Sequence, residues 1–453
     1  MDARDNTRSL VTADYSLGMD RDALSSLIAS ALSIGWRATE REMSRSAIFP
    51  ILGLRSNLRG MTAVGTLERP SPPASSAHVG VYLDGFATTA IAPEVLDAVI
   101  AALSLPANPS SPHALGERAA DIIGRARELV AELVACLPSE LVFTSGATEA
   151  NNLAITGTAR TAPADRRRIV ISAIEHSAVL EPATALANEG FEIVKAPVDD
   201  RGIVDLTRLP RIIGDNCWLV STMAVNNETG VVQPVAEIAR IAHERGALIH
   251  TDAAQAVGKI PVDLVGWDVD YASLTAHKMH GPVGVGALYI AAGAPAPRPL
   301  QLGGGQQAGR RAGTEPVALI AGFGAAAALA SERGDADMSL RQQLLDRFLE
   351  VLSQHQVRWE KISGSAPTVP GGCAIVIPGI DADDICQRIQ SRVFLSTSSA
   401  CSSGQIALSP VLTSMGVGPD RGRSTMRLMT SRYLTIGDVE TAAAILAAAI
   451  ARS

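Results

Sequence analysis

From Val81 onward, short apolar runs alternate with amphipathic segments, and this alternation limits the possible folds more than any other feature of the chain. Leu141–Val142–Phe143, Ile169–Val170–Ile171, Trp218–Leu219–Val220 and Ala247–Leu248–Ile249 read as buried strands. Between them, Ala178–Asn188 and Pro234–Glu244 read as helices, the second opening at proline and stopping before Gly246. Strands that alternate with helices specify an α/β fold built on a mostly parallel sheet. A smaller α/β unit starts near Met338, with a helix at Arg341–Leu352 and a strand near Ala374–Ile377. The expected division is an extension at 1–79, a large domain at 80–335 and a small C-terminal domain at 336–453.

The 453 residues are too many for one ordinary core, and 47% hydrophobic with 19% charged residues is a globular composition. A net charge of −7 gives no basic footprint for nucleic acid. No uninterrupted apolar run of about 20 residues predicts a membrane span. The five cysteines form no CxxC pair, which predicts neither a metal site nor a redox dithiol. Their odd number, with no clear secretory signal, predicts free thiols in a reducing, cytoplasmic setting. Asp2, Asp5, Asp14, Asp20 and Asp22 make the first segment too acidic for a transit peptide. It reads as a flexible extension before the Pro/Ser linker at 68–76, with a start at Met61 as the alternative.

Several short motifs sit where the strands end. Thr144–Ser145–Gly146–Ala147–Thr148–Glu149 follows a strand and opens a helix, where small residues and unpaired N–H groups suit a phosphate; a plain capped helix start explains it equally. Asp252 stands at the carboxyl end of a strand, the edge where open α/β sheets bind ligands, although an N-cap is the commoner use of such an aspartate. Only four lysines occur: Lys195, Lys259, Lys278 and Lys361. Lys278, between an apolar strand and a glycine-rich loop, is the best placed for Schiff-base chemistry, whereas Lys259 follows a helix end. His176 and the Asn226–Asn227–Glu228 turn follow strands and are open to both ligand-binding and structural readings. Cys401 lies in the small polar run Ser396–Gly404, the setting of a reactive loop thiol; the other four cysteines have apolar neighbours.

In order and spacing, these motifs resemble the cysteine desulfurases of the NifS/IscS group, in the class V aminotransferase branch of fold-type I pyridoxal-phosphate (PLP) enzymes. The resemblance runs from Tyr82 to near Thr435. It is carried by Tyr82–Leu83–Asp84, Asn108–Pro109–Ser110, Ser145–Gly146–Ala147–Thr148–Glu149, Glu175–His176, Asn226–Asn227–Glu228, Asp252–Ala253–Ala254–Gln255, His277–Lys278, Gly303–Gly304–Gly305–Gln306, Arg311–Ala312–Gly313–Thr314 and Ser399–Ala400–Cys401.

The resemblance implies that Lys278 carries PLP, that Asp252 pairs with the ring nitrogen, and that His176 stacks on the ring. It implies Gln255 and Asn227 beside the ring oxygen. Ala147, Thr148, Thr275 and His277 would hold the phosphate, with Thr314 of a second subunit in a homodimer. Arg427 would grip the carboxylate of L-cysteine, and Cys401 would take the sulfur as a persulfide. An acceptor protein, such as an iron–sulfur scaffold or a thiolation enzyme, would then remove it. A selenocysteine lyase, a small-amino-acid transaminase and a non-catalytic scaffold subunit are the alternatives. Three departures from the family pattern stand out. Gln307–Ala308 replaces a common Glu-Arg pair, with charge loss expected at the subunit boundary and substrate mouth. Ser398 and Ala276 each replace a frequent glycine.

Overall fold

The computed structural model describes residues 80–397 and 408–452. After β1 (Val81–Tyr82), seven strands form the main sheet: β2 (Leu141–Thr144), β3 (Arg168–Ser172), β4 (Glu192–Ala196), β5 (Cys217–Met223), β6 (Leu248–Asp252), β7 (Tyr271–Thr275) and β8 (Gly286–Ile290). Their order is β2-β8-β7-β6-β5-β3-β4. β8 runs antiparallel to both neighbours, and every other pairing is parallel. The carboxyl ends of β2, β3, β5, β6 and β7 therefore share one edge.

Both faces of this sheet are apolar, which is why its strands read as continuous hydrophobic runs. Val142, Ile169, Ile171, Leu219 and Leu288 face one core, while Phe143, Val170, Val220, Ile249 and Leu274 face the other. Asp252 and Thr275 close β6 and β7, while the polar interior positions Ser221, His250 and Ser273 satisfy one another across the sheet.

A second, antiparallel sheet has the order β12-β13-β10-β9, from β9 (Glu360–Lys361), β10 (Gly372–Val376), β12 (Ser396–Thr397) and β13 (Thr425–Met429). β11 (Val393–Phe394) pairs in parallel with β1, so the first described strand joins the C-terminal half of the chain. Ile375, Met426 and Leu428 share a core there with Leu344, Phe348, Ile385 and Leu446.

The helix expected at Arg341–Leu352 is the second half of one helix spanning Val317–Gln354. The polar run Ser331–Asp337, with Gly334, reads as a break, yet its side chains are tied down from outside. Arg333 pairs with Glu94 at 3.3 Å, and Asp337 pairs with Arg432 at 2.7 Å. Ile320, Phe323 and Ala327 bury the first half in the main core, and Leu344, Leu345 and Phe348 bury the second half in the other. Among the described residues it alone is long and apolar enough to cross a membrane, and half of its apolar window is buried inside the protein.

The Asp337–Arg432 pair is nearly sealed from water, at 9% and 5% side-chain exposure. Asp337→Ala would strand a buried guanidinium and is expected to cost about 3 kcal/mol in denaturant unfolding. A change under about 0.5 kcal/mol would show that the pair is no more than a surface contact.

Candidate active site

A cavity of about 440 Å³ opens at the edge of the main sheet where the strand ends converge. Ala147, Thr148, His176, Asn227, Asp252, Gln255, Thr275, His277, Lys278 and Arg427 all line it. Thr314 is exposed and does not line the cavity of its own chain. Cys401 and Ser398 lie outside the described residues.

At one end, β2 runs through Gly146 into the helix Ala147–Asn152. Gly146 has φ +151°, which favours glycine there, and a Cβ added to Gly286 would stand 2.7 Å from the Gly146 Cα, so glycine at 286 lets strand and loop press together. The amides of Ala147 and Thr148 are first-turn donors with no acceptor among the described residues. His277 lines the same cavity. Burial, then the charge of Lys278, pull its imidazole down to about 4, so it is neutral, and its Nδ1 lies 3.1 Å from Thr88 Oγ1.

Asp252 closes β6 and is held at both carboxylate oxygens. Asn151 Nδ2 donates to Oδ2 at 2.7 Å and the Ala254 amide donates to Oδ1 at 2.9 Å. The neighbouring Glu175 is buried and accepts from the Met223 amide at 2.7 Å. Burial first, and also the Asp252 charge, push Glu175 up to about 8, which leaves it protonated at neutral pH. His176 caps the helix Ser177–Ala185, its Nδ1 accepting from the Ala178 amide at 3.0 Å. That bond puts the ring proton on Nε2. Burial depresses the His176 pKa.

Lys278 follows β7 and donates to the Phe86 carbonyl. Burial and then Arg427 lower its pKa to about 8, against partial opposition from Asp252 and Asp84. Arg427, in the middle of β13, donates to the Asn227 carbonyl at 3.3 Å and pairs with Asp84 at 3.4 Å. In the cofactor-free protein, labelling of Lys278 by an amine reagent is therefore expected to rise through about pH 8 rather than the ordinary 10.5. Peptide mapping after labelling at graded pH measures this, and a midpoint near 10 would contradict the described burial.

Three residues of this constellation, Asp84, Asn151 and Glu175, carry no role in the sequence reading. Asp84 and Glu175 stand inside quoted motifs, whereas Asn151 gives no local signal. The structure differs from the expected placement of Gln307–Ala308 at the substrate mouth. Neither Gln307 nor Ala308 lines the cavity, and Gln307 is buried within this chain. Its Oε1 accepts from Arg127 Nη2 at 3.0 Å and from the Phe143 amide at 2.8 Å, and its Nε2 donates to Glu315. Ala276 is accommodated by Gly281, whose added Cβ would stand 2.7 Å from the Ala276 Cβ.

Fold and site together define a class of protein. A family model described as aminotransferase class-V matches residues 81–441. The mitochondrial cysteine desulfurase of Drosophila melanogaster is 40% identical over 371 residues, 80% of this chain and 78% of that one. A solved NifS-like protein superposes with a TM-score of 0.77 at 34% identity, covering 83% of this chain and all of the other. Another, SspA in complex with cysteine, has a TM-score of 0.68 at 32% identity over 78% of this chain and all of the other. The chain belongs to the class V aminotransferase family, within its cysteine desulfurase group.

That family is generally PLP-dependent, and the residues present fit the cofactor. Unpaired amides and a neutral histidine suit a phosphate at one end, an anchored carboxylate suits a pyridinium nitrogen, and a half-buried amine suits an aldehyde.

Proposed function

We propose that this chain is a PLP-dependent cysteine desulfurase that converts L-cysteine to L-alanine and passes the sulfur through Cys401 to an acceptor protein. The observation that carries the reading is one cavity shared by a low-pKa amine, Lys278, an anchored carboxylate, Asp252, and a guanidinium, Arg427. PLP, when bound, supplies an electron sink that weakens bonds at the substrate's Cα and Cβ.

Lys278 would hold the cofactor's aldehyde carbon covalently and afterwards move a proton at the substrate Cα. Asp252, fixed by Asn151 and Ala254, would keep the ring nitrogen protonated. His176 would stack on the ring, and Gln255 and Asn227 would face its oxygen. Ala147, Thr148, Thr275 and His277 would hold the phosphate. Arg427 would take the substrate carboxylate, at the expense of its long contact with Asp84. Cys401 Sγ would attack the substrate sulfur. The Cβ–S bond breaks, a persulfide forms on Cys401, and the carbon fragment gains a proton to leave as L-alanine.

A second copy of the chain completes the site in this reading. Thr314 is exposed, Val283 of the cavity lining is 71% exposed, and Leu302 beside the Gly303–Gly305 run is 85% exposed. Apolar side chains of that size in the open suit a subunit interface.

The test is sulfide and alanine production from L-cysteine by the purified protein, with visible absorbance followed in the same sample. Equal yields beside a cofactor band support the reading. A band with no sulfur release turns the function to a transaminase or a lyase. Failure to take up PLP defeats it.

A further inference from the structure

Lys259 is the most buried amine among the described residues, at 2% exposure, and the chemistry above makes no use of it. It follows Gly258, whose φ of +73° and close approach to Met279 turn the chain inward. Arg341 Nη2 fixes the turn by donating to the Lys259 carbonyl at 3.0 Å. The charged and titratable groups around the amine are Lys278, Arg341, His277 and His280. No carboxylate pairs with it among the described residues. Its Nζ instead donates to Gln255 Oε1 and lies 5.7 Å from the Phe86 ring centre.

Gln255 in turn donates from Nε2 to the Phe86 carbonyl at 2.8 Å, the same carbonyl that accepts from Lys278 Nζ. Lys259 and the Phe86 carbonyl thus dictate one orientation of the carboxamide. A donor sits at its oxygen and an acceptor at its nitrogen. The second N–H of Gln255 has no partner among the described residues, and Gln255 lines the cavity.

We propose that Lys259 is a positioning residue that locks the Gln255 carboxamide so that its remaining N–H donates into the cavity toward the cofactor's oxygen. The proposal rests on the reading that PLP binds there. Burial, followed by the charges of Lys278 and Arg341, holds the Lys259 pKa well below its ordinary value. An amine donates an N–H whether or not it carries a proton charge, so the lock holds in both states. Without Lys259 the Gln255 oxygen would be buried with no donor, and the carboxamide would rotate to find one. The cofactor's oxygen would then lose a donor and become the stronger proton acceptor.

The full chain loaded with PLP is titrated with pH while its visible band is followed, for wild type, Lys259→Met, Gln255→Met and the double variant. Each single variant is expected to raise the midpoint by about half a unit to one unit, the size of one lost hydrogen bond. The double variant is expected to match Gln255→Met alone. An unchanged midpoint in Lys259→Met, or a shift that persists undiminished in the Gln255→Met background, overturns the proposal. Should Lys259→Met fail to fold, Lys259→Gln is put through the same cycle and read by the same criteria. A wild-type protein that shows no band with PLP defeats the cofactor reading itself, and this inference with it.

Discussion

Lys278→Ala is expected to lower alanine production from L-cysteine by about 10⁴-fold, the upper end of what one positioned acid–base group contributes. Two losses combine in that figure. The amine that would tether the cofactor goes, and so does the base whose pKa of about 8 suits proton transfer near neutrality. Lys259 offers no substitute, because its Nζ is held by the Gln255 oxygen and sealed from solvent. Lys195 and Lys361 do not line the cavity. Lys278→Arg should fare no better, since a guanidinium in protein does not deprotonate. The paired measurement is borohydride reduction of the PLP-loaded protein followed by peptide mapping. Wild type should carry the label on Lys278, and the alanine variant should carry none. A label on Lys259, or activity within tenfold of wild type, would remove Lys278 from the proposed chemistry.

The site was legible to the extent that its residues sit next to strand ends. Asp252, Lys278, His176 and Asn227 each follow an apolar run by a few residues, so the sheet that buries those runs also gathers their neighbours at one edge. Arg427 is different. It lies in the middle of β13, in a separate sheet, and no local pattern in Met426–Arg427–Leu428 points to a ligand. Only the family resemblance singled it out. Asn151 went unread for a related reason. Its role is to hold Asp252 across 101 residues of sequence, a contact that depends on how the helix after Gly146 lies over β7 and β8, next to β6. In the sequence Lys259 follows a helix end, where lysines are usually solvated. The inward turn at Gly258, and the lack of a carboxylate partner among the described residues, are tertiary facts. The long helix reads as broken before Met338 because local polarity hides the partners, Glu94 and Arg432, that pair with its middle.

Cys401→Ser is expected to reduce sulfide release to the level of a protein-free control while leaving the cofactor's visible band at wild-type strength. The other cysteines cannot take over. Cys136, Cys217, Cys373 and Cys386 are buried or half-buried, and none lines the cavity. Burial pushes Cys217 up to about 11 and the other three up to about 12, so none is a thiolate at neutral pH. Described residues on either side of Cys401 bond to neighbours of the cavity residues Arg427 and Asn227. Ser396 Oγ donates to Asp84 Oδ2 at 2.6 Å, and Asp84 pairs with Arg427. On the far side, Ser409 Oγ donates to Glu228 Oε2 at 2.5 Å, one residue beyond the Asn227 whose carbonyl accepts from Arg427. Serine preserves size and polarity but is a far weaker nucleophile toward sulfur, so the loss should fall on sulfur transfer and not on cofactor uptake. Full sulfide release by the variant would sink the desulfurase reading, whereas loss of both sulfide and the visible band would mean that Cys401 serves the fold.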